Sequence, residues 1–98
     1  MNLIPKQIGN ANLIAYLILT SNHSKTNNTK HYVGGQLLTD IRILAICKYE
    51  DAPGYYLFYC GADWNEFTDT YHDSIEDAID QAEFEFANTH SDWIFTRK

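Results

Sequence analysis

The second half of the chain has almost no positive charge. No lysine or arginine occurs between Lys48 and Arg97, so residues 50–98 carry twelve acids against two basic residues, a net charge of −10. Residues 1–49 carry five basic residues and the single acid Asp40, a net charge of +4. Carboxylates without local cations repel one another and lower stability. With an overall charge of −6 the chain is not expected to bind nucleic acid or anionic lipid.

Cysteines and long apolar runs are also scarce. Cys47 and Cys60 are the only two cysteines, too few for the disulfide framework of a small secreted protein. The longest apolar run, residues 13–19, has seven residues, whereas a membrane-spanning helix needs about 20. Residues 20–23, which follow it, do not form a signal-peptide cleavage site. We therefore expect a cytoplasmic protein that does not associate with membranes.

The residues that are present suit a small folded domain. Hydrophobic residues make up 45% of the chain and aromatic residues 14%, which is too much for a disordered segment and enough for a modest core. A length of 98 residues predicts a single domain spanning residues 1–98.

A β-hairpin is predicted in the middle of the chain. Two β-rich runs, residues 41–50 and 55–60, flank a Pro53-Gly54 pair, in which Pro fixes φ and Gly accepts a positive φ. If Glu50 pairs with Tyr55, one face carries Ile43, Ala45, Cys47, Tyr49, Tyr56, Phe58 and Cys60. The other face carries Leu44, Ile46, Lys48, Leu57 and Tyr59. Because only the second face contains a lysine, we expect the first to face the core.

The remaining segments complete the predicted fold. Residues 13–20, 31–33 and 64–71 predict strands, and the polar residues 21–30 predict a mobile loop. Residues 92–96 are interpreted as a last short strand or a docked tail.

The principal helix is predicted after Ser74, a strong N-cap residue, with Asp77 at the third helical position. An apolar stripe at helical spacing is expected to pack on the sheet, and the helix to fray near Asn88; the stripe is Ile75, Ala78, Ile79, Ala82 and Phe86. The fold class is therefore α+β, with a small antiparallel sheet of three to five strands and one principal helix on one face.

Acidic and aromatic residues give the candidate binding surface. Glu76, Asp80 and Glu83 stand at i, i+4 and i+7 of the predicted helix, where like charges destabilise it by about 0.2–0.5 kcal/mol per pair. They form either a docking surface for a basic protein or a solvated face that keeps the protein soluble. A second set places aromatic residues among acids, a composition typical of interface anchors: Asp63, Trp64, Glu66, Asp69 and Tyr71. The alternative for Trp64 is a place in the core.

Catalytic and metal-binding patterns are weak. Cys47 and His72 could be imagined as a nucleophilic pair, but no basic neighbour or helix start activates the thiol. His72 and Glu76 are four apart, yet no further ligand pair completes a metal site. We therefore expect no enzyme, no cofactor and no metal.

Two resemblances involve residues 44–86. The pattern from Gly54-Tyr55-Tyr56-Leu57-Phe58-Tyr59-Cys60 through Asp63-Trp64, Thr68-Asp69-Thr70 and His72 to Gln81-Ala82-Glu83-Phe84-Glu85 resembles a group of small stand-alone bacterial proteins, and it implies no particular activity. Asp73-Ser74-Ile75-Glu76-Asp77-Ala78 is similar to the helix opening of the HicB antitoxin fold. That resemblance implies a β-β-β-α unit and an acidic toxin-neutralising protein. The chain lacks that family's basic DNA-binding part, so DNA binding is not implied.

The sequence favours an acidic interaction protein. The hypothesis is an immunity protein or antitoxin-like inhibitor that docks electrostatically on a basic toxin, with a nuclease as the favoured class. The alternative is an accessory or housekeeping domain whose acids serve only solubility. Exposed sheet edges leave open whether the protein is a monomer or a homodimer.

Overall fold

A computed structural model describes residues 4–96 of the chain. Eight strands and one helix lie within this range: β1 Gln7–Ile8, β2 Ala11–Ile18, β3 Tyr32–Val33, β4 Gln36–Leu37, β5 Ile43–Tyr49, β6 Tyr55–Cys60, β7 Glu66–His72, α1 Ile75–Glu85 and β8 Ile94–Phe95.

Six of the strands form one curled antiparallel sheet. Its order is β1-β2-β5-β6-β7, and β8 pairs with β2 at Ala15 and Tyr16, next to the point where β1 pairs with Ala11 and Asn12. The α+β class with one helix in the C-terminal half is thus confirmed. The sheet has six strands rather than three to five. The two-residue strand β1 is not predicted by the sequence, whereas β8 lies within residues 92–96, which are interpreted as a last short strand or a docked tail. The strands β3 and β4 form a separate hairpin.

The predicted hairpin of β5 and β6 is present, but its register differs by two residues. Cys47 lies opposite Tyr56, whereas the predicted pairing of Glu50 with Tyr55 would put Tyr49 there. The difference arises in the loop, where the Ala52 N–H donates to the Tyr49 carbonyl at 3.3 Å and closes a turn ahead of Pro53-Gly54. A shift of two residues keeps each side chain on its face.

Both faces of the hairpin are buried. We expected the core on the face that carries Ile43, Ala45 and Cys47, but the helix packs on the other face. The helix packs on the face that carries Leu44, Ile46, Leu57 and Tyr59, here called the helix face. Lys48 does not prevent this, because its ammonium lies at the strand end and donates to the Ala52 carbonyl at 2.7 Å.

The opposite face, here called the aromatic face, contains a second core cluster. The curl of the sheet brings residues of β1 and β2 against those of β5 and β6, and four aromatic side chains cover them. The cluster comprises Ile8, Ala11, Leu13, Ile43, Ala45, Cys47, Phe58 and Cys60, covered by Tyr16, Tyr49, Tyr56 and Trp64.

The helix begins and packs as the sequence predicts. The Asp77 N–H donates to the Ser74 hydroxyl at 3.0 Å, which confirms the N-cap. Ala78, Ala82 and Phe86 are buried on the helix face, with Ile75 and Ile79 packed beside them. The α-helix ends at Glu85, three residues before Asn88. No helix in residues 4–96 is long and apolar enough to cross a membrane.

The polar loop of residues 21–30 is fastened to the helix end and is not free of contacts as a mobile loop would be. The Thr26 N–H donates to the Glu85 carbonyl at 3.0 Å, and the Asn28 amide donates to the Phe84 carbonyl at 2.8 Å. The last carbonyls of a helix have no partner within it. The loop supplies these partners, which local sequence composition did not reveal.

The cap gives a direct test of the helix start. Replacing Ser74→Ala removes an acceptor for the Asp77 N–H and should lower the free energy of unfolding by about 1 kcal/mol. Urea denaturation followed by circular dichroism measures this. Ser21→Ala, at an exposed serine outside any helix, is the matched control. Equal losses for the two variants would contradict the role of the cap.

Candidate functional site

The predicted site residues fall into two groups on opposite sides of the sheet. Cross-strand partners share a face. Asp69 lies opposite Phe58 and Tyr71 opposite Tyr56, so both project from the aromatic face. Glu76, Asp80 and Glu83 belong to the helix, which covers the other face. The acids after residue 50 therefore do not form one continuous surface.

Three residues of the first group lie on β7 and form a compact surface with two tyrosines of the neighbouring strands β5 and β6. This surface is here called the β7 patch: Tyr49, Tyr56, Glu66, Asp69 and Tyr71. The ring of Tyr56 meets those of Tyr49 and Tyr71 edge-to-face, each with centroids 5.3 Å apart. Glu66 and Asp69 share a hydrogen bond. Their charges also raise the pKa of Tyr49, after the larger effect of desolvation. The patch thus combines a row of tyrosines with two carboxylates in contact.

Glu66 is the acid of the patch whose pKa is shifted. Desolvation, the hydrogen bond with Asp69 and the charge of Asp69 together raise its pKa from 4.5 to about 7. Two carboxylates this close share one proton more readily than both ionise. No lysine or arginine among residues 4–96 lies within ion-pair distance of either. An added cation would remove this repulsion.

Tyr71 lies across the β5–β6 loop in a position that Gly54 makes possible. A Cβ on Gly54 would stand 2.3–2.5 Å from the end of the Tyr71 ring, and Gly54 has a φ of +80°. The glycine therefore serves both the turn and the close approach of the tyrosine. Tyr71 remains 49% exposed, so one side of the ring is open to a partner.

Asp63 and Trp64 lie in the turn between β6 and β7. Trp64 adopts a φ of +68°, a left-handed conformation that is unusual for a bulky residue. Its ring is half-buried on the aromatic face and meets Tyr16 edge-to-face with centroids 5.5 Å apart. Trp64 therefore anchors the turn, with its remaining surface on a shallow cleft of about 300 Å³ beside Ile18 and Arg42. Asp63 is exposed.

The three helix acids have different surroundings. Glu76 and Asp80 are exposed. One oxygen of Glu83 accepts the backbone N–H groups of Thr89 at 2.9 Å and His90 at 2.8 Å, and these bonds help to lower its pKa. Glu83 thus fastens the segment after the helix, a role that the i, i+4, i+7 spacing did not indicate.

Sequence reasoning did not identify the buried carboxylate of Glu85. It accepts hydrogen bonds from the Tyr59 hydroxyl at 2.5 Å and the Gln81 amide at 2.6 Å, and His31 Nε2 lies 2.7 Å from its other oxygen. Burial favours the neutral acid, but these bonds outweigh it and hold the pKa below its ordinary value. Its position in the sequence could have indicated burial, because Glu85 is seven residues after Ala78 and so lies on the buried side of the helix.

The residues considered for catalysis lie apart. Cys47 belongs to the aromatic face. His72 lies on the helix face, because it pairs with Tyr55, which packs against the helix-face cluster. Burial raises the pKa of the Cys47 thiol to about 12 and lowers that of His72. Within residues 4–96, no three acidic, histidine or cysteine side chains are grouped to hold a metal.

The role of Glu83 can be measured separately from its charge. Glu83→Gln should lower the free energy of unfolding by about 1 kcal/mol, because its hydrogen bonds to backbone amides lose their ionised acceptor. Glu76→Gln removes the same charge from the same helix without these bonds. Chemical denaturation should therefore separate the two variants. If both behave alike, Glu83 does not hold the segment.

The raised pKa of Glu66 predicts a pH-dependent stability. Because the pKa of Glu66 is raised on folding from 4.5 to about 7, the folded state binds more protons in this window. The stabilising contribution of protonated Glu66 is complete below pH 4.5 and is lost as the pH rises through 7.

Glu66→Gln should remove this dependence. Its urea midpoint should rise relative to the wild type between pH 5 and pH 8, whereas Glu76→Gln should keep the wild-type slope. If the urea midpoint of Glu66→Gln changed with pH as that of the wild type does, repulsion between Glu66 and Asp69 would be excluded as the cause.

Comparisons with known proteins give no relative for this site. No family model matches the chain, and neither the curated proteins nor the solved structures contain a match. The two resemblances in residues 44–86 therefore stay predictions.

Proposed function

We propose that the protein is a small acidic inhibitor that binds a basic protein, of the immunity or antitoxin type. The favoured partner is a toxin whose substrate groove is cationic, as in a nuclease. Acids that enter such a groove take the place of the substrate phosphates and block access. Complementary charge also accelerates the encounter between two proteins.

One observation carries the proposal: the acids of the second half lack cationic partners. Three ion pairs occur among residues 4–96, and the one that involves lysine or arginine joins Arg42 to Asp40 in the first half. The other two are contacts to histidine, His23 with Asp92 and His31 with Glu85. The twelve acids of residues 50–92 therefore have no lysine or arginine partner within the described part of the chain.

The β7 patch is the part of this acidic surface that best suits a partner. Its tyrosines offer ring faces and hydroxyl groups, and aromatic rings attract arginine and lysine side chains by about 0.5–1 kcal/mol at exposed sites. Glu66 and Asp69 provide carboxylates for the same cations. Tyrosines are also common among residues that dominate binding energy. The acids of the helix, Glu76 and Asp80, would contribute longer-range attraction.

The test begins with the partner. The protein is immobilised at low salt, captured basic proteins from the native cell are identified, and the activity of each purified candidate is measured with added protein. We expect stoichiometric inhibition and an association rate that falls as salt increases. A basic partner whose activity is unaffected, or whose association does not respond to salt, would contradict the proposal.

Two double variants locate the docking surface. Glu66→Gln/Asp69→Asn and Glu76→Gln/Asp80→Asn each remove two charges, one pair from the β7 patch and one from the helix. The first should slow association with the captured partner by about tenfold at low salt and weaken inhibition, and the second should have the smaller effect. Equal rates for both variants would exclude the β7 patch as the principal contact.

A further inference from the structure

The outer edge of β7 is an unpaired strand edge. Residues 66–72 pair with β6 on one side, and no strand of residues 4–96 pairs with the other side. The opposite edge of the sheet differs, because β1 and β8 cover β2. A seven-residue edge strand offers a row of backbone donors and acceptors to another extended chain.

The backbone direction of β7 follows from its neighbours. The Cys60 carbonyl accepts the Arg42 N–H at 2.8 Å and so faces β5. The backbone N–H and C=O groups of successive residues in a strand point to alternate sides. Those of Tyr59 therefore point to β7, and those of its partner Thr68 point back to β6. Asp69 and Tyr71 therefore direct their N–H and C=O groups outward, at the same positions whose side chains form the β7 patch.

The charge of this edge selects its occupant. A second copy paired through β7 would place the carboxylates of Glu66 and Asp69 near those of its partner, and like charges across strands are destabilising. An added strand with lysine or arginine at alternate positions would instead place all its cations on the aromatic face. There they would meet Glu66, Asp69 and the ring of Tyr71.

We propose that β7 accepts an extended basic segment of the partner protein as the next antiparallel strand of the sheet. This rests on the proposed function and adds the mode of binding. Antiparallel addition matches the rest of the sheet and gives slightly stronger pairing per residue than parallel addition. Main-chain hydrogen bonds hold the segment, and alternate cations give it specificity.

The test uses synthetic peptides of about seven alternating arginine and valine residues, a length that matches β7. In the antiparallel arrangement, the residues whose side chains meet Asp69 also direct their N–H groups to β7, so these are the arginines. One peptide is unmodified, one carries N-methyl groups on the arginines, and one carries them on the valines. All three have the same charge.

Binding is measured at low salt, and amide hydrogen exchange of the protein is followed by NMR. The unmodified and valine-methylated peptides should bind alike, and arginine methylation should weaken binding about tenfold because the pairing hydrogen bonds are lost. The amides of Asp69 and Tyr71 should become protected on binding, whereas those of Thr68 and Thr70 are already protected in the free protein.

Equal affinity for the two methylated peptides, or greater loss with the valine-methylated one, would overturn the antiparallel addition. If binding stays salt-dependent in that case, the acidic docking surface of the proposed function stands without the strand pairing. Absence of salt-dependent binding by the unmodified peptide would exclude both. Glu66→Gln/Asp69→Asn should bind the unmodified peptide more weakly than Glu76→Gln/Asp80→Asn, and the reverse order would also overturn the inference.

Discussion

The buried carboxylate of Glu85 holds the three parts of the molecule together without a lysine or arginine. It contacts the sheet through Tyr59, the helix through Gln81 and the segment between the polar loop and β3 through His31. A buried charge is costly unless hydrogen bonds satisfy it, and breaking such a network leaves that charge uncompensated. The loop, the helix end and the sheet consequently depend on one ionised group, whose lowered pKa shows that its donors outweigh its burial.

The same shortage of cations shapes the other acids, with different results. Glu83 is held by backbone amides after the helix, and Asp92 lies 2.7 Å from His23. Glu66 and Asp69 have neither solution, and desolvation together with the neighbouring Asp69 raises the pKa of Glu66 to about 7. The contacts of Glu83 and Asp92 stabilise the fold, whereas the closeness of Glu66 and Asp69 lowers stability above pH 7. The neighbours of each acid thus distinguish those that stabilise the fold from those that do not, although the sequence shows only one negative half.

Local patterns predicted local structure well. Alternation assigned the side chains of β5 and β6 to the correct faces, and the stripe from Ile75 to Phe86 with the Ser74 cap predicted the helix. The failures concern long-range contacts. The register depended on the Ala52–Tyr49 turn, and the loop of residues 21–30 depended on carbonyls about 60 positions away. Among the site residues, charge spacing could not show that Glu83 faces backbone amides, or that β7 and the helix lie on opposite sides of the sheet.

The proposed function gives the acids different purposes according to their position. Charge that only keeps a protein soluble can occupy any exposed site, and Glu76 and Asp80 on the helix satisfy that need at little cost. Glu66 and Asp69 instead repel each other at an unpaired sheet edge, beside a row of tyrosines. Pairing with a second copy would bring like charges together, whereas a cationic strand would meet opposite charges there. In the proposed mode of binding, one pair of carboxylates would therefore disfavour a second copy and favour a cationic strand, which a dispersed acidic surface would not do.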